Sequence, residues 1–310
     1  MTTPSPAPRA PGPRKSIFAP EARAAWMFLI PPLTLIVLFF VIPVLMGFLL
    51  SMTDFDIYSI GDVGDTRVVG VRNYGELLHN PLFWQALRNT LYYAVVGSIL
   101  TIAVALAAAL LLNAKIARFK PLFRTIYFAP VVTTIVAVAV IWRYLYHPRV
   151  GLFNRVLEAV GINGIDWLGD PKWAMPAIIL LAIWKNFGYS TIIFLAGLQN
   201  APEELYEAAR IDGAGELRQF TAITLPVLGP TFVFVSVITS IGYFQIFAEP
   251  YVMTPEGGPL NSTLTIVMLM YREGFRWWNM GYASAIAFIL FAIVVAATLL
   301  QVFLRRRENE

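Results

Sequence analysis

The sequence predicts an all-α integral membrane protein with six transmembrane helices. Of its 310 residues, 58% are hydrophobic and only 14% are charged, whereas an average soluble domain carries about 25% charged residues. A helix needs about 20 apolar residues to cross the hydrocarbon core of a bilayer. Apolar stretches of that length occur near residues 26–51, 89–113, 122–146, 175–198, 228–252 and 280–304, and these are the predicted spans.

The first 25 residues are predicted to form a disordered tail. They begin MTTPSPAPRAPGPRKS, a proline-rich stretch that neither continues a helix nor buries apolar area. A basic start before an apolar run also resembles a secretory signal. The run from Trp26 to Leu50 is longer than the apolar part of such a signal, and no A-x-A-like cleavage site follows it. We therefore expect an uncleaved first span.

Prolines lie inside two of the predicted spans. Pro31, Pro32 and Pro43 fall in the first span and Pro130 falls in the third. We expect them to kink these helices rather than abolish them, because neighbouring helices can bond the carbonyls that proline leaves free. The second span carries small residues that serve either for close helix contact or as lipid-compatible filler: Ala103, Ala105, Ala107, Ala108 and Ala109.

Lysine and arginine predict the orientation, because they concentrate in the cytoplasmic segments of membrane proteins. If the amino terminus lies in the cytoplasm, the inner segments carry the denser basic charge, at positions 9, 14, 15 and 23, at 115, 118, 120 and 124, at 210 and 218, and at 305–307. The outer segments are longer and more sparsely basic. We therefore expect both termini in the cytoplasm.

One predicted cytoplasmic segment, residues 199–226, is acidic and reads NAPEELYEAARIDGAGELRQFTAITLP from Asn200 onward. Pro202 suits the first position of a helix, and the two glutamates after it place negative charge at the positive end of the helix dipole. Asp212-Gly213 is a turn signal, because glycine readily adopts a positive φ where a helix ends. We expect one helix over about 202–211 and a second over about 215–225, with proline at position 226 marking the return to the membrane.

Both of these short helices carry apolar stripes that are too small to be a core of their own. Leu205, Ala208 and Ala209 share a face of the first helix, and Leu217 and Phe220 lie on the second with Ile223 or Thr224. Such a helix-turn-helix must pack against something. It either docks onto helix ends of this chain or inserts into a groove on a cytoplasmic partner.

The string Glu207-Ala208-Ala209-x-x-Asp212-Gly213-Ala214, followed by Phe220, Ile223, Leu225 and Pro226, resembles the EAA loop of the permease subunits of ATP-binding-cassette (ABC) importers. We call residues 199–226 the EAA segment. The resemblance implies a type I ABC importer transmembrane domain over residues 26–306, with the first short helix as the coupling helix in a cleft of the ATPase. By the same resemblance Glu207 meets the nucleotide-binding subunit and Gly213 permits the turn.

Further stretches resemble the carbohydrate permeases, including those for maltodextrins and glycerol-3-phosphate. They read WKNFGYSTIIFLAGLQ in the fourth span, and MTPEGGPLNSTLTIVMLMYREGF followed by GYASAIAFILF around the sixth. This resemblance implies a multi-pass protein of the bacterial cytoplasmic (inner) membrane. It also implies four kinds of partner: a dimeric ABC ATPase, a second homologous permease, an extracytoplasmic solute-binding protein and lipid. Nucleic acid is not among them.

Lys185 lies inside the fourth predicted span, where a charged group costs at least a few kcal/mol. We therefore expect its ammonium to face an aqueous path or a partner, with Asn186 and Tyr189 on the same face. The alternative is a lysine that snorkels to the outer interface or pairs with an acid such as Glu249.

Resemblance to the maltose-type permease places substrate contacts at Lys185, Asn186 and Tyr189 in the fourth span. It adds Thr239, Tyr243 and Ile246 in the fifth. Amide, hydroxyl and ammonium groups suit sugar hydroxyls, and tyrosine can stack on a pyranose ring. The sequence departs from the maltose type at two of these positions, since Lys185 replaces an apolar residue and Ile246 a polar one. The lysine would also suit a phosphorylated or acidic solute such as glycerol-3-phosphate.

The sequence carries no G-x-x-x-x-G-K-[ST] motif, so it does not cradle nucleotide phosphates by that route. We expect ATP and Mg²⁺ on a separate ATPase subunit and no cofactor on this chain. With no cysteine and two isolated histidines, His79 and His147, we expect no metal site and no catalytic residue.

The predicted function is therefore that of a transport subunit, not an enzyme, in an ATP-driven importer of a sugar. An ion-coupled secondary transporter is the alternative, but it would leave the EAA segment unexplained. An intramembrane enzyme or an assembly factor is a third possibility. The sequence shows no intramembrane carboxylate pair for acid-base chemistry, and an assembly role would give Lys185 no purpose.

Overall fold

The computed structural model describes residues 20–61, 66–114 and 119–308, and the chain is almost wholly helical there. The α-helices are α1 Pro20–Ile36, α2 Ile42–Leu50, α3 Arg72–His79, α4 Pro81–Asn113, α5 Lys120–Val132, α6 Ile135–Leu145, α7 Leu152–Ala159, α8 Pro171–Gln199, α9 Glu203–Ile211, α10 Glu216–Gln219, α11 Leu225–Phe244, α12 Ala248–Met253, α13 Ile266–Tyr271 and α14 Met280–Glu308. In the described ranges, five helical segments are long and apolar enough to span a membrane, or six if one sharply bent pair is a single span. The predicted all-α membrane fold is confirmed.

Residues 20–50 form one compact unit. Its first helix begins at Pro20, so residues 20–25 of the predicted tail are helical, while residues 1–19 lie outside the described part of the chain. Proline pre-sets the backbone for the first turn of a helix, and this explains the earlier start. The side chains described from Ala24 to Leu50 are exposed or half-buried, as an apolar span that faces lipid requires.

A π-helical turn, Val37–Val41, joins α1 to α2 and ends just before Pro43. In it the amide of Ile42 bonds the carbonyl of Val37, five residues back. This turn widens the helix where proline supplies no N–H and its ring would press on a carbonyl. The first span therefore continues through its prolines, as predicted.

The third predicted span behaves differently, because the chain breaks there instead of bending gently. α5 ends at Val132, α6 begins at Ile135, and their axes differ by 99°. Pro130 lies in the last turn of α5, and Thr133 and Thr134 between the helices adopt extended conformations. The expectation that Pro130 would kink this helix without ending it is therefore wrong.

The unit from Ser51 onward is built around α4 and α8, the pair of helices with the most extensive mutual packing. Ala105, Ala108 and Ala109 of α4 are buried, whereas Ala103 and Ala107 are exposed. Both explanations offered for this alanine run therefore hold, each for a different face of the helix. Small residues on the buried face let the two backbones approach closely.

Glycine makes a second close contact possible, between α8 and α5. A Cβ atom on Gly188 would overlap the backbone carbonyl of Tyr127. The backbones of α5 and α8 therefore meet at this point without a side chain between them. This contact fixes the distance between α8 and the end of α5, where the chain breaks.

The fifth predicted span, 228–252, also departs from a single helix. α11 ends at Phe244, residues 245–247 are not helical, and the short helix α12 follows from Ala248. Thr265 Oγ1 donates to the carbonyl of Ile246 at 3.1 Å and holds this break. Arg143 Nη1, from α6, donates to the carbonyl of Val252 at 3.2 Å and ties α12 in place.

Candidate functional site

The EAA segment begins with α9, whose end forms a complete hydrogen-bonded cap. Gly213 adopts a φ of 74°, the left-handed conformation that the Asp-Gly pair predicts. The amide of Ala214 bonds the carbonyl of Ala209 at 2.8 Å, and the amide of Gly213 bonds the carbonyl of Arg210 at 3.1 Å. These two bonds form a Schellman motif, which stops the helix and reverses the chain.

Side-chain bonds hold α9 against the helix that follows the turn. The hydroxyls of Tyr206 and Thr224 lie 2.9 Å apart, and Gln219 Nε2 donates to the carbonyl of Ala214 at 2.7 Å. The turn is thus closed by local chemistry on both of its sides. The EAA segment is a preformed helix-turn-helix.

Part of the apolar surface of the EAA segment packs within this chain and part is left open. Phe220 and Ile223 are half-buried, as docking onto the chain's own helices predicts. Leu205, Ile211 and Leu217 are 47%, 86% and 78% exposed, as a surface for a partner requires. Exposed residues of the predicted coupling set lie around them: Glu207, Ala208, Asp212 and Gly213, with Ala209 and Ala214 half-buried.

The second helix of the EAA segment does not end at Pro226. α10, a π-helical turn over Phe220–Thr224 and α11 form one continuous helix from Glu216 to Phe244. The amide of Leu225 bonds the carbonyl of Phe220 in the π turn, directly before Pro226, as happens before Pro43. The expected helix end near position 225 is therefore wrong, because the widened turn accommodates the proline.

The far end of this helix reaches a cavity of about 430 Å³ between α8, α11 and the start of α12. Five of the six predicted substrate-contact residues line it: Asn186, Tyr189, Thr239, Tyr243 and Ile246. Tyr189 is 45% exposed, whereas Tyr243 and Ile246 are each 4% exposed. The structure therefore brings together residues from two spans that are far apart in sequence.

Tyr243 is held in the wall of the cavity by contacts behind it. Its ring stacks on Tyr93 with centroids 5.1 Å apart and fills the space left by Gly97 of α4. Its hydroxyl is hydrogen-bonded to Thr101. One ring face and the hydroxyl are thus used by the protein, and Tyr189 is the more open aromatic surface.

Lys185, the sixth predicted contact, is not among the residues that line this cavity. Its Nζ lies 3.1, 3.5 and 3.0 Å from the carbonyl oxygens of Pro130, Val131 and Thr133. These carbonyls belong to the end of α5 and to the break after it. A lysine ammonium has three N–H donors, and each here has a carbonyl within reach. The geometry supports a structural role, in which Lys185 bonds the carbonyls left free at the 99° break.

Glu249 lines the cavity, although sequence reasoning considered it only as a partner for Lys185. It lies in the first turn of α12, just after the break in the fifth span. An acid inside an apolar run is itself a signal of function in a membrane protein. That general signal was present in the sequence, but the interruption after Phe244 that precedes this residue was not.

The whole chain is similar to known transport proteins. Residues 17–310 match the family described as "Binding-protein-dependent transport system inner membrane component". "Probable ABC transporter permease protein YurN" of Bacillus subtilis is 37% identical, over 89% of this chain and 94% of that protein. "Lactose transport system permease protein LacF" of Rhizobium radiobacter is 36% identical, over 92% and 94%. "Arabinooligosaccharides transport system permease protein AraP" of Bacillus subtilis is 34% identical, over 92% and 90%.

Solved structures support the same fold. A chain of a bacterial ABC transporter involved in the import of the acidic polysaccharide alginate aligns with a TM-score of 0.77. It shares 24% sequence identity, and the alignment covers 94% of this chain and 97% of that one. The fold is therefore that of an ABC importer transmembrane domain, as predicted.

Proposed function

Because this chain belongs to the family of binding-protein-dependent transport system inner membrane components, we propose that it is the permease subunit of an ATP-driven importer. Its solute is a sugar or a sugar-like molecule, which it moves into the cytoplasm. The names of two similar permeases, for lactose and for arabinooligosaccharides, support a saccharide. The cavity supports it too, since amide, hydroxyl and aromatic side chains line it and suit a hydroxylated ring.

The observation that carries this proposal is the continuous helix from Glu216 to Phe244, with the EAA segment at one end and the cavity at the other. From Glu216 to Thr239 it spans about 35 Å at 1.5 Å per residue. Its backbone is helical throughout, through the π turn and past the prolines at positions 226 and 230. Displacement of the EAA segment by an ATPase would therefore reach the cavity wall directly.

The proposed mechanism is alternating access. Closure of an ATPase dimer around ATP and Mg²⁺ displaces α9, which Tyr206 ties to the long helix, and the cavity then opens toward the binding protein outside. ATP hydrolysis belongs to the separate ATPase, and this chain binds no cofactor. The assembly contains a second, homologous permease, and both termini of this chain lie in the cytoplasm. A transporter complexed with its alginate-bound periplasmic protein has a similar fold and supports this arrangement.

Two alternatives receive less support. An ion-coupled transporter would leave the exposed apolar residues of this helix-turn-helix without a partner. An acidic or phosphorylated solute bound through Lys185 is weakened because that ammonium is engaged by three carbonyls.

The test is solute uptake in vesicles that contain this chain, its ATPase, the second permease and the binding protein. We expect uptake to require ATP and to be lost in Glu207→Lys together with ATPase binding, because the reversed charge lies on the exposed face of α9. Glu158→Lys, an exposed charge reversal on α7, is the matched control and should retain uptake. Uptake that persists without the ATPase would contradict the proposal.

A further inference from the structure

The cavity between α8, α11 and α12 contains a single charged side chain among its described lining residues, and that side chain is an acid. The acid is Glu249, in the first turn of α12. The other lining residues are apolar, aromatic, or polar without charge. No arginine, lysine or histidine of the described chain lines it. The one charge on its described lining is therefore negative.

The cation that attracts this acid, Lys185, makes its hydrogen bonds elsewhere. Lys185 and Glu249 are close enough for electrostatic attraction, but the described residues form no ion pair between them. Each N–H of the Lys185 ammonium has a backbone carbonyl within 3.5 Å. Glu249 therefore receives the attraction of a nearby positive charge but no hydrogen bond from Lys185, and the acceptor sites that its own backbone amide does not use are left for whatever enters the cavity.

We propose that Glu249 sets the charge selectivity of the transport cavity, which takes a neutral or amine-bearing saccharide and rejects an anionic one. This inference rests on the proposed function and narrows its solute class. A carboxylate accepts hydrogen bonds from sugar hydroxyls or from an ammonium group. It repels a carboxylate or phosphate strongly, because charges interact over a longer range in a low-dielectric site than in water.

The aromatic side of the cavity fits the same class of solute. Tyr189 presents an open ring, while Tyr243 is packed against Tyr93. A pyranose ring that lies on Tyr189 can direct its hydroxyl or amino groups toward Asn186, Thr239 and Glu249, all of which line the same space. Recognition would thus combine one apolar face, neutral hydrogen-bonding groups and one negative charge.

The chain has no cysteine, so a single introduced thiol can report the local potential. Thr239→Cys places a thiol in the cavity wall of the assembled complex in membrane vesicles. We compare its rates of reaction with two methanethiosulfonate reagents of similar size, the cationic trimethylammonium-ethyl compound and the anionic sulfonatoethyl compound. Because both reagents react with the same thiol, any change in the intrinsic reactivity of that thiol cancels in the ratio of the two rates.

We expect the cation-to-anion rate ratio in the cavity to exceed that of a free thiol by about tenfold, and to fall to the free-thiol value when Glu249→Gln is added. Tyr58→Cys, at a residue that is 80% exposed, is the control, and its ratio should not respond to Glu249→Gln. A cavity ratio that does not respond would overturn the proposal. So would a thiol that reacts with neither reagent, because no charged species could then sense Glu249.

Protection of the same thiol tests the solute class. Glucose and glucosamine should slow its reaction with the neutral reagent methyl methanethiosulfonate, and glucuronate should not, until Glu249 is replaced by glutamine. Equal protection by all three sugars, or by none, would contradict the assigned class. ATP-dependent uptake measured on vesicles with the native chain keeps the two proposals separate, since it tests the importer function without any change in the cavity.

Discussion

The EAA segment and the cavity are built in opposite ways. The EAA segment is continuous in sequence, and its cap, turn and cross-bonds join residues fewer than twenty positions apart. The cavity draws on α4, α5, α8, α11 and α12, and its shape depends on two chain breaks and on contacts between distant helices. We therefore expect the EAA segment to be disturbed by backbone substitutions at its turn. We expect the cavity to be disturbed by changes in packing at residues that do not line it.

The largest expected effect comes from packing behind the cavity. Gly188→Ala adds a Cβ that overlaps the Tyr127 carbonyl, and backbone cannot move aside as a flexible side chain can. We expect a loss of about 1–3 kcal/mol in stability, as for an overpacked core, seen as a lower melting temperature of the detergent-solubilised complex. Gly242→Ala, where a Cβ meets nothing within 4 Å, should melt no lower than the native chain. Equal melting temperatures for the two variants would show that the backbones of α5 and α8 do not meet closely at Gly188.

Lys185→Met distinguishes a structural lysine from a solute contact. Removal of the ammonium leaves the carbonyls of Pro130, Val131 and Thr133 without this partner, at a cost of about 1–3 kcal/mol for the unsatisfied groups. We expect lower thermal stability and a higher cation-to-anion ratio at Thr239→Cys, because the positive charge that attracts Glu249 is removed. Lys185→Arg, which keeps the donors, should recover part of the stability. A changed ratio with native stability would instead place the ammonium on the solute path.

Gly213 tests the local site. Gly213→Ala puts a side chain on a residue with φ of 74°, which costs about 1 kcal/mol for an L-residue in the left-handed region. We expect weaker ATPase binding in a pull-down assay, while the membrane-embedded helices melt normally. Gly213→Asn should bind the ATPase more nearly as the native chain does, because asparagine tolerates this conformation. Full ATPase binding by the alanine variant would mean that the turn is not needed in this form.

The smallest expected effect is the loss of one bond between α9 and the long helix. Tyr206→Phe removes the hydroxyl that lies 2.9 Å from that of Thr224, a change of about 0.5–1.5 kcal/mol. Thr224→Val should have a similar effect on ATP-driven uptake, and the double variant should be no worse than either one. Additive losses would indicate that the two hydroxyls act separately.

The sequence predicts the EAA segment and the cavity to different extents, because the first is a local structure and the second is assembled from distant helices. The apolar runs predicted the membrane fold, and Asp212-Gly213 predicted the conformation of the turn, because in both cases the deciding interactions are local. The set of cavity residues came from resemblance, and the structure places five of those six around one space.

The breaks in the third and fifth spans had no equally clear signal. Pro130 suggested a kink, but the carbonyls at the break are bonded by Lys185 from another helix. The apolar run over 228–252 gave no sign that it stops at Phe244, since that break depends on Thr265 bonding Ile246. The hydrogen bonds of Lys185 and the position of Glu249 both depend on these breaks, so the sequence alone could not choose between a structural and a solute-contacting lysine.

The unbroken helix from Glu216 to Phe244 also constrains residues that touch neither site. Insertion or deletion of one residue within α11 would rotate Thr239 and Tyr243 by about 100° relative to the EAA segment and shift them by about 1.5 Å. The cavity wall would then present a different face, although every side chain in it was unchanged. The number of residues between the two ends sets the angular position of the cavity residues relative to the EAA segment. It therefore matters to transport as much as the residues at either end.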